Sequence, residues 1–298
     1  MEEVKLPGNL WFPEDAFRQR FDDVLVSGHH RLRDSSIAFV GLARNCGQWL
    51  HGNLLRLQAT GMMCKSWKLH VESNDCNDNT LEVLQRFCAD NRQATFLYST
   101  LDRPHLPGEF AGPRTIALAE YRDACQRWVR ECAADCDYVV VADLDLWGGF
   151  SPHGLVSAIG EMVFLPGAYG MASVSLFEHD FGAGRMWGHY DLWALRGLGQ
   201  RDCYWDQYRG GRGGFGYTWI PPVGSPPALV ASAFGGMAIY RTSSYLKGTY
   251  DGVSDCEHVP FHRSIAEATG EMLYVCPAMR TVVSWMEPDH EADGIDGV

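Results

Sequence analysis

The amino-acid sequence predicts an α/β protein: a three-layer α/β/α sandwich on a mostly parallel, mixed sheet, folded as a single compact domain with two lobes. Three observations predict it. Short apolar runs alternate with segments of helical periodicity over residues 36–142, the order that builds right-handed βαβ crossovers. Tyr138-Val139-Val140-Val141-Ala142 is an unbroken, β-branched run, as a strand covered on both faces requires. The 298 residues are 46% hydrophobic and 21% charged, enough for a full core and too apolar for a disordered chain. At about 150 residues per domain this length fits two domains or one large one.

Each element follows in order. Residues 1–34 are polar and irregular apart from a short amphipathic stretch at 17–25, and are expected to pack on the main fold as an arm. Ile37-Ala38-Phe39-Val40, ended by Gly41, reads as a buried strand. Leu50, Leu54 and Leu57 recur at helical spacing, with Gly61 as the stop. Leu69-His70-Val71 starts a second strand that ends in Glu72-Ser73-Asn74-Asp75. Asn79 and Glu82 have capping-box spacing before a helix face of Leu81, Leu84 and Phe87. Residues 94–98 form a third strand. Within 113–132, Leu118, Tyr121, Cys125, Trp128 and Cys132 fall at alternating intervals of three and four, which predicts the apolar face of a long helix. After Phe150 glycine, tryptophan and proline become dense. Residues 190–195 and 237–240 still look like strands, and between them Gly210, Gly211, Gly213, Gly214 and Gly216 suggest a mobile loop.

Charge and motifs exclude several classes. A net charge of −12, from 25 Lys+Arg and 37 Asp+Glu, opposes binding to nucleic acid phosphates, including an RGG-type contact at the glycine cluster. No apolar stretch reaches the roughly 18 residues of a membrane span; the longest, around 159–177, is interrupted by Glu161 and Pro166. The N-terminus lacks the basic-then-apolar order of a secretory signal, and the ten cysteines, without a CxxC pair, read as reduced thiols. A cytoplasmic, soluble protein is expected. There is no P-loop, no GxSxG elbow, no GxGxxG after the first strand and no kinase signature.

The chemistry gathers at predicted strand ends. Asp143-Leu144-Asp145 follows the buried run directly, at the carboxyl edge where open α/β sheets bind ligands. In an extended chain residues two apart face one side, about 7 Å apart, so both carboxylates project together while Leu144 and Leu146 face away. Such a pair suits Mg²⁺ or Mn²⁺ sharing its coordination with substrate phosphates. Glu72 and Asp75 end an earlier strand, and share that edge if the sheet is parallel; otherwise they belong to a turn. Arg44 follows the first strand, where its guanidinium can serve a diphosphate. Arg122 lies at the edge of the long helix's apolar stripe and needs a partner, either Asp143, another acid or the ligand; Arg114 near the helix start is equally open. Gly235 and Gly236 let backbone approach a ligand closely. Asp255, Glu257, His258 and His262 cluster within eight residues. Asp255 and Glu257 are general-base candidates, and Asp255 alternatively caps the following helix. His258 can complete a metal site with the two aspartates, or pair with His262 on zinc, although HExxH is absent.

Five short stretches, VESNDCNDNT (71–80), ADLDL (142–146), YDLWALR (190–196), SAFGGMAIYR (232–241) and DCEHVPFH (255–262), together resemble the GT-A class of nucleotide-sugar-dependent glycosyltransferases. More narrowly they resemble the fungal CAP59-type family that includes α-1,3-mannosyltransferases of capsule synthesis. The resemblance implies a metal-dependent transfer of a sugar, mannose among the candidates, from a GDP- or UDP-sugar donor to a glycan or other hydroxyl acceptor. It implies Asp143 and Asp145 as the DxD motif, with Asp145 bridging Mn²⁺ or Mg²⁺ to the donor diphosphate. Glu72 matches a position near the nucleoside, Asp191 and Arg196 a segment beside the sugar, and Glu257-His258 a segment holding a metal ligand or catalytic acid. On this reading residues 1–34 are an arm, 35–150 the nucleotide-sugar lobe, and 151–298 the acceptor lobe and tail. The tryptophans at 187, 193, 205 and 219 suit stacking on an acceptor sugar. No N-terminal anchor of the kind usual in the fungal members is expected from these residues. The rival expectations are a sugar-nucleotide pyrophosphorylase and a non-catalytic carbohydrate-binding protein.

Overall fold

The computed structural model describes residues 6–106, 112–180, 184–200 and 214–286. In chain order the helices are α1 (Gly8–Trp11), α2 (Asp15–Arg33), α3 (Gly47–Gly61), α4 (Thr80–Asp90), α5 (Pro113–Cys132), α6 (Pro152–Phe164), α7 (Gly214–Tyr217), α8 (Thr242–Tyr245) and α9 (His258–Thr269). The strands are β1 (Ser36–Ala43), β2 (Ser66–Asn74), β3 (Ala94–Ser99), β4 (Tyr138–Asp143), β5 (Gly149–Phe150), β6 (Ala168–Asp180), β7 (Arg185–His189), β8 (Ala228–Val230), β9 (Met237–Arg241) and β10 (Met272–Ser284).

All ten strands join one sheet, in the order β3-β2-β1-β4-β9-β6-β10-β5, with β7 beside β6 and β8 beside β10. The first four are mutually parallel. β9 inserts antiparallel between β4 and β6, and β6 and β10 are again parallel. Six of the eight strands on that path therefore run one way, as the alternating pattern predicts. Side-chain alternation makes the layers. Ile37 and Phe39 of β1 enter a core closed by α3, α4 and α6, whereas Ala38 and Val40 enter a second core closed by α5 and α9.

Four expectations need correction. The N-terminal segment is largely a 19-residue helix, α2, which buries Val24, Gly28 and Leu32. It crosses α6 backbone to backbone: a Cβ on Gly28 would lie 2.1 Å from the Val156 carbonyl oxygen, and one on Gly160 would lie 2.2 Å from that of Val24. Arg20 clasps the buried Glu161 at 2.6 and 2.7 Å across the same crossing. Secondly, α5 has the expected bounds but another face. It buries Thr115, Ala119, Arg122, Cys125, Gln126 and Val129, while Cys132 is exposed. Polar groups on that face find partners elsewhere, as Gln126 Nε2 does in the carbonyls of Tyr245 (2.8 Å) and Gly248 (2.9 Å). Thirdly, residues 190–195 form a tight loop instead of a strand, with only Arg196 bridging to Ser232. Lastly, Asn79 makes no side-chain cap on α4; Asp78 Oδ1 instead accepts from the Thr80 N–H at 3.0 Å.

Of the glycine cluster, Gly210, Gly211 and Gly213 lie outside the described residues, as does Trp205. The nine described cysteines are free. No helix among the described residues is long and apolar enough to cross a membrane.

The α2–α6 crossing leaves no room for a methyl group. Gly160→Ala is expected to destabilise the protein by about 1–3 kcal/mol, read as a lower urea midpoint at unchanged slope. Gly167→Ala, with nothing within 4 Å of its Cβ, should leave the midpoint in place.

Candidate active site

The parallel strands β1, β2 and β4 end together, and a cavity of about 870 Å³ opens at their carboxyl edge. Arg44, Glu72, Arg114, Arg122, Asp143 and Asp145 line it, as do Asp191, Gly236, Glu257 and His258. Asp75, Gly235 and Asp255 are not on its wall.

Asp143 is the last residue of β4. Its N–H donates to the Gly236 carbonyl at 2.8 Å, and its Oδ1 accepts from Arg122 Nη2 at 2.5 Å. Beyond it the strand stops. Asn53 Nδ2, buried in α3, donates to the carbonyls of Leu144 (3.0 Å) and Leu146 (2.9 Å), pinning the loop with both leucines inward. Asp145 is thereby left exposed on the cavity wall. Loss of solvent and the neighbouring Asp143 charge raise its carboxyl to about 6.

Arg122 is only 3% exposed. Its guanidinium lies over the Phe234 ring at 4.9 Å, with Nε 3.7 Å from Glu257 Oε1. Burial opposes its charge, but Asp143 and Glu257 outweigh that and hold it protonated. Glu257, at the start of α9, has its carboxyl raised by burial against the pull of Arg122. The next residue, His258, stacks on Phe234 at 3.8 Å; Nε2 lies 3.4 Å from Glu257 Oε1, and neither ring nitrogen has a hydrogen-bond partner among the described residues. Burial, then the Arg122 cation, push its basicity well down, so the imidazole is neutral.

Arg44 Nη2 and Nη1 donate to the carbonyls of Arg103 (2.6 Å) and Pro104 (3.3 Å). That loop is itself held by Asp75, whose carboxylate accepts the N–H groups of Leu101 (2.7 Å), Asp102 (3.0 Å) and Arg103 (3.2 Å). Asp75 therefore organises the wall instead of facing a ligand. Glu72 Oε1 lies 3.0 Å from His70 Nε2, and the Arg114 guanidinium lies over the Trp193 ring at 5.5 Å. Asp191 accepts from the N–H groups of Ala194 (3.1 Å) and Gly235 (2.8 Å), and burial raises its carboxyl.

Other placements differ from expectation. Both Asp255 oxygens accept from Nη2 of the buried Arg196, at 2.7 and 3.0 Å, which keeps both groups off the cavity wall; nor does Asp255 cap α9. Gly235 has φ +67°, and a Cβ there would lie 2.2 Å from the Ser173 carbonyl oxygen, so backbone packing demands this glycine. His262 is a core residue held by Ser232 Oγ and Tyr240 OH, both at 2.9 Å, which removes the zinc pairing with His258. Of the tryptophans, Trp187, Trp193 and Trp219 pack on the second core, and Trp193 also lines the cavity. Asn53 was missed; its signal is a polar residue inside the Leu50/Leu54/Leu57 face. Arg103 and Glu120, paired on the wall, carry no local signal.

Among the described residues, no three His, Cys, Asp or Glu side chains are arranged to hold a metal ion, so Asp143, Asp145 and His258 do not converge. The wall nonetheless suits a cation that takes its other ligands from phosphate and water. Six carboxylates (Glu72, Glu120, Asp143, Asp145, Asp191, Glu257) face four arginines (Arg44, Arg103, Arg114, Arg122), and loss of solvent, then the Asp143 charge, raises the Asp145 carboxyl.

No protein-family model matches the chain, and no curated protein sequence matches it. Among solved structures it is similar to the mannosyltransferase PcManGT from Pyrobaculum calidifontis in complex with GDP-Man and Mn²⁺: the TM-score is 0.51 at 11% identity, over 93% of this chain and 68% of that one. It is also similar to S. aureus TarS 1-349 in complex with UDP-GlcNAc, with a TM-score of 0.48 at 13% identity, over 87% of this chain and 61% of that one. The likeness to PcManGT is one of fold: the chain has a glycosyltransferase-like α/β fold.

Two predictions follow from the wall. Burial opposes the Asp75 charge, but Asn74 and three backbone N–H groups overcome it and hold the carboxyl at about 2. A depressed folded value means that this stabilisation is present above pH ~4 and is lost as pH falls towards 2. Asp75→Ala should flatten the pH dependence of the melting temperature in that window. Arg122→Ala leaves Glu257 buried and Asp143 unpaired, and should cost about 3–5 kcal/mol by denaturant unfolding.

Proposed function

We propose that the protein transfers a sugar from a GDP- or UDP-linked donor to a hydroxyl of a glycan or other acceptor, with Mn²⁺ or Mg²⁺ as cofactor and mannose the first sugar to test. The observation that carries this reading is the strand-edge cavity on which Asp143 and Asp145 open beside arginines; the glycosyltransferase-like fold supports it.

Asp143 and Asp145 are assigned to hold the cation, which when bound would act as a Lewis acid on the departing diphosphate. Arg44 and Arg114 present guanidinium groups to the phosphate oxygens, Arg44 being aimed by the carbonyls of residues 103 and 104. Glu72, which has His70 at hydrogen-bond distance, is assigned to the nucleoside. Asp191 anchors Gly235, so that Gly236 borders the sugar without a side chain between. We assign His258 to the sugar hydroxyls, to which a neutral imidazole offers one donor and one acceptor. Glu257, the buried carboxyl on the wall with raised basicity, takes the proton of the attacking hydroxyl; Asp255 is committed to Arg196. An inverted anomeric product agrees with that base, and a retained one removes the need for it.

The test is a panel of GDP- and UDP-sugars with and without MnCl₂, scored for nucleoside diphosphate release and sugar transfer. One donor should be consumed, only with metal. GDP or UDP with Mn²⁺ at about 100 times Kd should raise the melting temperature by several degrees, from ~2.7 kcal/mol of linkage, and Asp145→Ala should abolish the rise. Pyrophosphate release, or oligosaccharide binding with no response to nucleotide, overturns the proposal.

A further inference from the structure

We propose that Trp49, Trp147 and Trp285 form an aromatic platform at the mouth of the cavity that binds a pyranose ring of an uncharged oligosaccharide acceptor; this rests on the transferase reading above. The three indoles come from separate elements: the first turn of α3, the loop after Asp145, and the residue after β10. Trp49 stacks on Trp147 with centroids 5.1 Å apart and planes 19° apart, and Trp285 meets Trp147 edge-on at 5.3 Å and 87°. None of them belongs to either hydrophobic core, and Trp147 remains 37% exposed. Trp49 and Trp285 are half-buried, so the three indoles form a partly exposed aromatic cluster outside both cores, the kind of apolar patch that marks a binding surface.

The platform is tied to the cavity wall along the chain. Leu146 and Val283, which line it, precede Trp147 and Trp285 by one and two residues. The Trp147 N–H donates to the Val283 carbonyl at 3.3 Å, and the Gly148 N–H to that of Val282 at 3.1 Å. Asn53 grips the Leu146 carbonyl at 2.9 Å. The loop carrying Asp145 thus carries Trp147 in fixed register, which would set a stacked ring at a constant distance from the carboxylate.

The chemistry of the surface selects the occupant. A pyranose has an apolar face of C–H bonds and a polar rim. A flat indole covers the face and leaves the hydroxyls to water or to polar neighbours. Six carboxylates against four arginines on the adjoining wall disfavour a negatively charged acceptor.

The experiment probes the full chain and two variants, Trp147→Ala and Trp285→Leu, on an array of neutral oligosaccharides. The best-retained glycan is then titrated calorimetrically, and the melting shift with GDP or UDP plus Mn²⁺ is recorded on the same preparations. Retention of neutral glycans by the wild type, weakened at least tenfold in a variant that keeps the wild-type nucleotide shift, supports the platform. If the nucleotide shift is intact and no glycan is retained, the platform falls while the transferase reading stands. Equal glycan affinity in wild type and both folded variants overturns it. So does capture of the wild type, but not of Trp147→Ala, by phosphatidylcholine vesicles, which would make this a lipid-facing surface. Glycan retention lost in the variants, with no nucleotide shift in the wild type, keeps the platform and removes the transferase reading.

Discussion

A guanidinium withdrawn from water joins the parts of this molecule that matter for its site. Arg122 projects from α5 between the end of β4 and the start of α9, paired with Asp143 on one side and facing Glu257 on the other. Left alone there, the charge would cost several kcal/mol. With two acids beside it, desolvation becomes a restraint on geometry: α5 cannot rotate or slide without stranding a buried charge. The same restraint explains why the buried face of α5 contains arginine, glutamine and threonine. Thr115 Oγ1 donates to the Gly252 carbonyl at 2.5 Å and Gln126 to two further carbonyls, so the helix is docked by polar contacts at three points along its length.

Those contacts mark where the sequence stops being readable. The strands could be read because burial on both faces imposes an unbroken apolar run, as at residues 138–142, and because a strand's end fixes where the next side chains point. That is why Asp143, Asp145, Arg44 and Glu72 fall on one wall. The bounds of α5 were legible from Pro113 and the periodic stretch after it, yet its orientation was not. An apolar stripe and a stripe of satisfied polar groups bury equally well, and only the first shows as hydrophobic spacing. Residues 190–195 mislead for a related reason. Leu192 and Ala194 are buried as strand residues would be, but Asp191 and Ser175 supply hydrogen bonds that a neighbouring strand would otherwise make.

Carboxylates divide in the same way. Asp75 and Asp255 look as available in the sequence as Asp143 does. Their partners are backbone N–H groups 26 to 28 residues away for Asp75, and an arginine 59 residues away for Asp255. No local pattern announces such a pairing. An acid at a strand end can face the ligand or hold the wall that faces it, and the choice depends on donors brought in by the rest of the fold.

On the proposed reading, the wall meets an incoming diphosphate with charges that are already largely engaged. Arg103 is taken by Glu120, Arg122 by Asp143, and Arg44 is turned by two carbonyls. An anion arriving beside six carboxylates therefore meets less free positive charge than four arginines suggest, and Asp145 makes no hydrogen bond to a cationic side chain among the described residues, although Arg122 and Arg114 act on it from farther off. Positive charge added between Asp145 and the phosphates would relieve both repulsions at once. It would also compete with Arg122 for Asp143, and here the second acid matters. With Glu257 3.7 Å from Nε, the guanidinium keeps a second acid beside it as the site fills, until Glu257 takes up a proton.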